Sequence, residues 1–210
     1  MVLFGGSFDP PHRAHVRLSV RARDAVMPPD AWLIFVPAAR NPLKQTGPIA
    51  SAADRIEMLR IATRGLERTS IWPDEIERAE GTGEPSYWVE TLRRARRAVD
   101  AEAELRFLIG ADAAVTFHRW REARAILELA DPIVLPRPPI ETAEALRGAL
   151  DETGAWDVSE IDRWRGALAP VPAMPLSATG FREEGARDAL DPPVLEYIRQ
   201  RKLYSNNLKN

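Results

Sequence analysis

The sequence predicts an α/β fold, a doubly wound parallel sheet with a small helical appendage at the C-terminus. Short apolar runs that end in Gly, Pro or polar residues are typical of strands. Longer segments between them repeat apolar residues with the period of an amphipathic helix. Strands that are apolar nearly throughout and alternate with helices indicate a sheet covered on both faces. The predicted strands are Val2–Phe4, Trp32–Val36, Leu105–Ile109 and Pro132–Leu135.

Helices are predicted from stripes of apolar residues and from the prolines that mark turns between them. The stripes lie within residues 53–62, 88–99 and 115–127. Between Pro136 and Pro175 the prolines indicate turns around a further helix and a late strand. The weaker predictions are a helix near Glu141–Asp151, a strand near Leu168–Val171 and a C-terminal helix over Ala178–Arg201 that is interrupted at Pro192-Pro193.

Composition limits the possible functions. The chain has 210 residues, of which 45% are hydrophobic, a size that fits one catalytic domain. It carries 29 Lys and Arg against 31 Asp and Glu, so no global positive field attracts nucleic acid or an anionic membrane. No apolar run approaches the roughly 20 residues that cross a bilayer. The absence of Cys excludes disulfides and thiolate chemistry. We expect a cytoplasmic protein without nucleic-acid or membrane partners, with a homo-oligomer possible.

The first strand leads directly into a glycine-rich turn. The turn reads Gly5-Gly6-Ser7-Phe8-Asp9-Pro10-Pro11-His12-Arg13-Ala14-His15, and residues 16–26 have helical character. A parallel strand followed by a helix N-terminus presents backbone N–H groups that attract phosphate. His12 and His15 are three residues apart, so both can face one anion if they share the first helical turn. The alternative is a pair of capping or core histidines.

This turn resembles the (T/H)xGH signature of the nucleotidyltransferase superfamily, in the form G-G-[ST]-F-D-P-x-H-x-G-H, with Ala14 where Gly is usual. Near the other end, Leu176-Ser177-Ala178-Thr179-Gly180-Phe181-Arg182-Glu183 resembles the S-x-T-x-x-R signature. The resemblance implies that Ser177 or Thr179 caps a helix whose N–H groups, with Arg182, hold the ATP phosphates. Taken alone, this second segment fits a capped surface helix equally well.

Two segments narrow the resemblance to the nicotinate mononucleotide adenylyltransferase family. Residues 36–44, ending in Lys44, are similar to its phosphate-binding loop, with Leu43 where His is common. Residues 54–59 are similar to its R-x-x-M-L helix. Lys44 is thereby implied beside the phosphates, although an exposed Lys in a Pro-rich loop is usually just solvated. Arg55 either joins it there or pairs with acids.

The pyridine side of the site rests on three more resemblances. Residues 85–92, including Ser86 and Tyr87, resemble S-Y-T-x-x-T-L with Trp88 in place of Thr. Residues 108–112 and 117–120 resemble I-G-x-D followed by F-x-x-W, and residues 131–138 resemble the segment after strand five. The resemblance implies that Gly110 and Asp112 belong to the ATP- and phosphate-binding residues, with Asp112 at the nucleotide ribose, and that Trp120 stacks on pyridine; Trp120 is also a candidate core residue. The implied pyridine nucleotide-binding residues are Ser86, Tyr87, Trp88, Trp120 and Arg137.

The resemblance covers most of the chain outside residues 140–173. It implies a Rossmann-like domain over 1–175, a helical segment over 176–204 that completes the ATP site, and a disordered end over 205–210. The implied reaction transfers AMP from ATP to nicotinate mononucleotide, with release of pyrophosphate, in NAD biosynthesis. The implied roles are His12 and His15 on the ATP phosphates, Lys44 and Arg182 on the triphosphate, the Gly5–Phe8 backbone on nucleotide phosphates, and Mg²⁺ held mainly by substrate and water.

Other functions stay open from the sequence alone. The acceptor could be nicotinamide mononucleotide or, within the superfamily, phosphopantetheine. The Trp88 and Gly180-Phe181 departures leave room for a silent nucleotide-binding module. A zinc site is less favoured, because only His118 adds a third imidazole and the chain has no thiolates. A Ser7–His12–Asp9 hydrolase lacks the G-x-S-x-G elbow.

Overall fold

The computed structural model describes residues 1–40, 47–82, 85–174 and 187–204, except for the side chains of residues 81, 82 and 187. Within them lies a five-stranded, fully parallel sheet in the order β3-β2-β1-β4-β5. Strand order grows outward from β1 in both directions, which is the doubly wound α/β arrangement predicted from the sequence. The strands are β1 (Val2–Gly6), β2 (Leu33–Pro37), β3 (Thr69–Ile71), β4 (Arg106–Gly110) and β5 (Asp131–Leu135).

The helices occupy both faces of this sheet. A π-helical turn, Ala14–Leu18, runs directly into α1, and short 3₁₀ turns lie at Phe117–Arg119 and Arg187–Ala189. The described α-helices are α1 (Ser19–Val26), α2 (Ala52–Thr63), α3 (Asp74–Thr82), α4 (Trp88–Ala98), α5 (Ala111–Val115), α6 (Ala123–Leu129), α7 (Ala143–Asp151), α8 (Val158–Gly166) and α9 (Pro192–Gln200). No helix in the described part of the chain is both long and apolar enough to cross a membrane.

The pairing of the strands leaves a crevice between the ends of β1 and β4. The pairing of β1 with β2 continues to Gly6↔Pro37, whereas its pairing with β4 stops at Phe4↔Leu108. Gly5 and Gly6 therefore keep a partner strand on one side only. Because β1 is where the winding direction reverses, this edge is the switch point at which doubly wound sheets bind ligands.

Three hydrophobic clusters hold the layers together. On one face α4 to α8 bury aromatic side chains, among them Phe107, Phe117 and Trp164, against the sheet. On the other face α1 packs on Phe4 and Phe35. A third cluster joins α9 to α2. The C-terminal helix is thus an appendage that packs beside the first half of the sheet, as the sequence predicts.

Four details differ from the sequence prediction. The stripe over 115–127 is two helices, because the chain turns between them and Glu122 adopts a left-handed conformation with φ of 55°. The segment Leu168–Val171 contributes one parallel bridge, Leu168 to Val134, rather than a strand. Of the predicted helix over Ala178–Arg201, residues 178–186 lie outside the described residues, Arg187–Ala189 form a 3₁₀ turn, and α9 begins at Pro192 and Pro193, where their missing N–H groups cost nothing. The elements β3, α3 and α8 were not predicted.

Candidate functional site

A cavity of about 610 Å³ opens at the carboxyl ends of β1 and β4. The end of β1 supplies Gly5 and Gly6, and the following turn supplies Ser7, His12 and His15. Opposite them lie the residues at the start of α4 and those after β4. The predicted residues that line it are Gly5, Gly6, Ser7, His12, His15, Ser86, Tyr87, Trp88, Gly110, Asp112, Trp120 and Arg137.

The two histidines form a stacked pair. Their ring centroids are 3.5 Å apart with an interplanar angle of 20°. The backbone N–H of His15 donates to Nδ1 of His12 at 3.2 Å, and the backbone N–H of His12 donates to Nδ1 of His15 at 3.3 Å. An Nδ1 that accepts a hydrogen bond leaves the proton of a neutral imidazole on Nε2. Both rings can therefore present an Nε2–H donor to a ligand.

Burial keeps His12 uncharged in the ligand-free cavity. Only 3% of this residue is exposed. Desolvation, with a smaller contribution from the positive charge of Arg137, lowers the pKa of His12 to about 3. A bound polyphosphate would oppose both effects, because its negative charge favours the imidazolium.

The histidine turn has unusual backbone geometry. Phe8 has a positive φ of 46° and is buried against Phe4 and Phe35. The chain then enters a π-helical turn in which Ala14 is buried. The hydroxyl of Ser19 donates to the carbonyl oxygens of His15 and Val16 within this turn. Such π segments frequently occur at functional sites, because they place side chains off the regular helical spacing.

Arg55 links the histidine turn to the loop after β2. It is 2% exposed, and its Nη1 donates to the carbonyl oxygens of Ser7 and Ala38, each at 2.7 Å. These carbonyls belong to the loops after β1 and β2. The sequence left two roles open for Arg55, phosphate binding or pairing with acids. Its hydrogen bonds in the structure are instead to two carbonyl oxygens, and they link the two loops.

The C-terminal segment braces the same turn. Asp9, buried, accepts hydrogen bonds from Ile49 N at 2.7 Å, Ala50 N at 3.1 Å and the Tyr204 hydroxyl. Asp191 accepts from Arg13 and Arg17, both at 3.0 Å, on either side of His15. Residues at both ends of the α9 segment thus contact the turn more than 170 positions away in the chain.

At the opposite end of the cavity, Trp88 packs against the glycine-rich strand end. A Cβ atom at Gly5 would lie 2.7 Å from Cζ3 of Trp88, so the absence of a side chain at Gly5 makes room for the indole. The indole Nε1 is buried and has no hydrogen-bond partner among the described residues. Tyr87 precedes α4 and carries the guanidinium of Arg121 over its ring at 4.5 Å.

Asp112 and Arg137, assigned from separate segments, meet in an ion pair. Nη1 of Arg137 donates to both carboxylate oxygens of Asp112, at 3.1 and 3.3 Å. A Cβ at Gly110 would approach Asp112 Oδ1 to 2.7 Å, so glycine permits this carboxylate position. Trp120 packs on Phe117 with ring centroids 4.9 Å apart and also lines the cavity.

Sequence reasoning missed Glu75, a buried carboxyl group on the cavity wall. It lies in α3, which was not predicted although Pro73 followed by acidic residues is a helix-start signal. Four predicted residues, Lys44, Ser177, Thr179 and Arg182, lie outside the described residues. In the described ranges no three His, Asp or Glu side chains are grouped closely enough to hold a metal ion.

Comparison with known proteins gives consistent matches. Residues 3–184 match the family described as cytidylyltransferase-like. The chain is 36% identical over 211 residues to a protein of Chromobacterium violaceum named probable nicotinate-nucleotide adenylyltransferase, covering 96% of this chain and 97% of that protein. A relative of the same name from Acidithiobacillus ferrooxidans is 34% identical, covering 98% and 96% of the two chains.

Solved structures share the fold. The nicotinic acid mononucleotide adenylyltransferase of Plasmodium falciparum, complexed with NaAD, superposes with a TM-score of 0.70 at 15% identity, over 99% of this chain and 98% of that one. The same protein complexed with APC gives a TM-score of 0.66 at 16% identity, over the same shares of the two chains. At these identities the likeness concerns the arrangement of the sheet and helices.

Proposed function

This chain belongs to the cytidylyltransferase-like family, and from that premise we propose that it transfers AMP from ATP to nicotinate mononucleotide, forming nicotinate adenine dinucleotide and pyrophosphate. One observation carries the proposal. A single cavity joins the stacked pair His12 and His15 at one end to the segment Ser86–Trp88 at the other, and a dinucleotide product needs both ends. The names of the relatives agree with this activity.

The reaction asks the protein for alignment and charge stabilisation. The acceptor's phosphate oxygen is already a nucleophile, so no covalent intermediate on the enzyme is needed. His12 and His15 would direct their Nε2–H groups at the ATP phosphates, and the backbone of Gly5 and Gly6 allows close approach to them. Negative charge that accumulates as pyrophosphate leaves is then met by donors already in position.

The triphosphate needs further cations. In this proposal Lys44 and Arg182 contact the β- and γ-phosphates, while Ser177 or Thr179 begins the helix that receives them. The division into a nucleotidyltransferase domain over 1–175 and a completing segment over 176–204 belongs to the same proposal. The contacts of Asp191 and Tyr204 with the histidine turn support it, since they bring the described C-terminal segment to the ATP side of the cavity.

Mg²⁺ is the divalent ion that suits this chemistry. It usually keeps several waters and binds through substrate phosphates with few protein ligands. In this proposal the ion is held mainly by substrate phosphates and water. When bound, Mg²⁺ neutralises phosphate charge.

The acceptor would occupy the other end. Trp120 offers a stacking face for the pyridine ring, and Asp112 offers a carboxylate to the ribose. Arg137, now paired with Asp112, is placed to exchange that partner for the acceptor's phosphate. The first N–H groups of α4, beginning at Trp88, have no partner within the helix and suit a negatively charged ring substituent. This last feature favours the acid over the amide.

Pyrophosphate release tests the proposal. Purified protein with ATP and Mg²⁺ is assayed in parallel with nicotinate mononucleotide, nicotinamide mononucleotide and phosphopantetheine. The assay is run near neutral pH, because we propose that the protein acts in the cytoplasm. Fastest turnover of the acid supports the proposal. Turnover of another acceptor alone would keep the chemistry and overturn the acceptor. ATP binding without pyrophosphate from any acceptor would identify a silent nucleotide-binding module.

A further inference from the structure

Glu75 is a buried acid that the mechanism above does not use. It is the second residue of α3, it is 4% exposed, and it lines the same cavity as Ser86, Tyr87 and Trp88. A carboxyl group is costly to bury without partners. Its position on the wall of a ligand cavity therefore needs an explanation in terms of either the fold or the ligand.

Its surroundings differ from those of the neighbouring acid. Asp74 accepts two hydrogen bonds from Arg94, at 2.8 and 2.9 Å, and one from Arg78 at 3.1 Å. Glu75 instead accepts a hydrogen bond from the neutral hydroxyl of Thr91, at 2.8 Å. The adjacent Asp74 thus receives the arginines that fasten α3 to α4, and Glu75 is held by a neutral group on the cavity side.

The ring end of the cavity contains two more polar groups that are incompletely satisfied. The Ser86 hydroxyl faces the Glu75 carboxyl without closing a regular hydrogen bond. The buried Nε1 of Trp88 has no partner among the described residues. Native interiors rarely leave such groups unpaired. Both residues line the same cavity as Glu75, so a ring substituent bound at this end would meet a polar wall.

We propose that Glu75 is the specificity-determining residue for the substituent on the acceptor's pyridine ring, acting through the charge of its carboxyl beside Ser86 and Trp88. The inference rests on the proposed function and names the part of the ligand that this wall reads. An ionised Glu75 repels a ring carboxylate and accepts a hydrogen bond from a ring amide. A protonated Glu75 donates its O–H to the carboxylate and loses the repulsion.

The balance between the two forms of Glu75 depends on pH. Burial raises the pKa of this carboxyl, while the Thr91 hydrogen bond and the positive charge of Arg78 oppose the rise. The selectivity for acid over amide should then fall as pH rises through the Glu75 titration. This sign follows because deprotonation places a negative charge beside the acid acceptor only.

Other charged groups face the same region, and the test must distinguish their effect from that of Glu75. Asp74 and Arg78 lie on α3, and Arg94 faces them from α4. Charged and titratable groups on the rest of the cavity wall are the same in wild type and in both variants, so comparing the ratio of rates between these proteins removes much of their effect. They are His12, His15, Arg40, Asp112, Arg119, Arg121 and Arg137.

The test is the pH profile of acceptor selectivity. The ratio of kcat/KM for nicotinate mononucleotide to kcat/KM for nicotinamide mononucleotide is measured from pH 5.5 to 8.5 for wild type, Glu75→Gln and Glu77→Gln. Glu77→Gln is the matched control, because it makes the same chemical change at an exposed position of α3. We expect the wild-type and Glu77→Gln ratios to fall as pH rises, by about tenfold between the protonated and the ionised form of Glu75. The Glu75→Gln ratio should be independent of pH.

A wild-type ratio that does not change with pH overturns the inference without any variant. So does a Glu75→Gln ratio that keeps the wild-type profile, or one acceptor excluded at every pH in both proteins. Failure of the proposed function looks different, since wild type would release no pyrophosphate from either acceptor at any pH.

Discussion

The two ends of the cavity are built differently. At the phosphate end, one continuous turn supplies both histidines, each Nδ1 is satisfied by a backbone N–H, and Arg55 and Tyr204 fix the loop from outside. At the ring end, three separate segments meet and leave the Trp88 Nε1 without a described partner. The difference indicates a phosphate end organised before the ligand binds and a ring end that the ligand completes. Chemistry is thereby separated from selectivity.

The largest effect is expected for His15→Ala at the phosphate end. Removing one preorganised donor to the transition-state charge should lower kcat by roughly 10²- to 10³-fold, with little change in the circular dichroism spectrum. Pyrophosphate release at saturating ATP and acceptor measures it. His118→Ala is the control, because its ring contacts the carbonyl of Val115 rather than the cavity. Unchanged turnover of His15→Ala would remove the histidine pair from the mechanism.

Gly5→Ala tests the contact between the end of β1 and the Trp88 indole. Its Cβ would lie 2.7 Å from the Trp88 ring, so the indole must move into the acceptor's space. We expect kcat/KM for the acceptor to fall about tenfold, and Trp88→Thr in the same chain to restore part of it.

Gly148→Ala is the matched control. Apart from the adjacent residues and the helix's own backbone, no described atom lies within 4 Å of the position that the added methyl group would take, and the residue is helical, so stability should rise by about 0.5–1 kcal/mol without kinetic effect. Full activity of Gly5→Ala would contradict the packing of Trp88 against the strand end.

The buried histidine predicts a pH dependence of stability. In the unfolded chain His12 binds a proton below about pH 6.5, whereas the folded pKa is about 3. The unfolded state therefore holds more protons between these values, and His12 makes stability fall with decreasing pH by up to about 1.4 kcal/mol per unit. Urea unfolding from pH 7.5 to 5 should show a shallower decline for His12→Gln. Parallel profiles of the two proteins would show that His12 is not kept neutral by the fold.

The smallest expected effect is at the C-terminal brace. Tyr204→Phe removes one hydrogen bond to Asp9, which keeps its two backbone donors at Ile49 and Ala50. The free energy of unfolding should fall by about 1–3 kcal/mol. Tyr197→Phe, whose hydroxyl donates to Asp54 at a half-buried position, should cost less, about 0.5–1.5 kcal/mol. Equal stability of Tyr204→Phe and wild type would show that the brace is dispensable.

The same contrast explains what the sequence could predict. The histidine turn is a local string whose spacing determines its own geometry, and β1, β2, β4 and β5 are apolar runs buried on both faces. The strand β3 escaped prediction because Thr69–Ile71 is short and carries two hydroxyl residues on an edge. The signal for α8 was present, since Asp157 and Glu160 form a capping box.

Contacts between distant segments could not be predicted in this way. Asp112 and Arg137 were assigned to different ligand groups, and nothing in their spacing indicates the ion pair that joins them. Glu75 becomes a cavity residue only through the packing of α3 against β2 and the hydrogen bond from Thr91. Such juxtapositions follow from the fold as a whole.

The most direct test of the central claim is identification of the products. Wild-type protein is incubated with ATP, Mg²⁺ and nicotinate mononucleotide, and the dinucleotide is identified by mass while pyrophosphate is counted. We expect nicotinate adenine dinucleotide and pyrophosphate in equal amounts, with the acid turned over faster than the amide. Consumption of ATP without a dinucleotide, or no reaction with either acceptor, would contradict it.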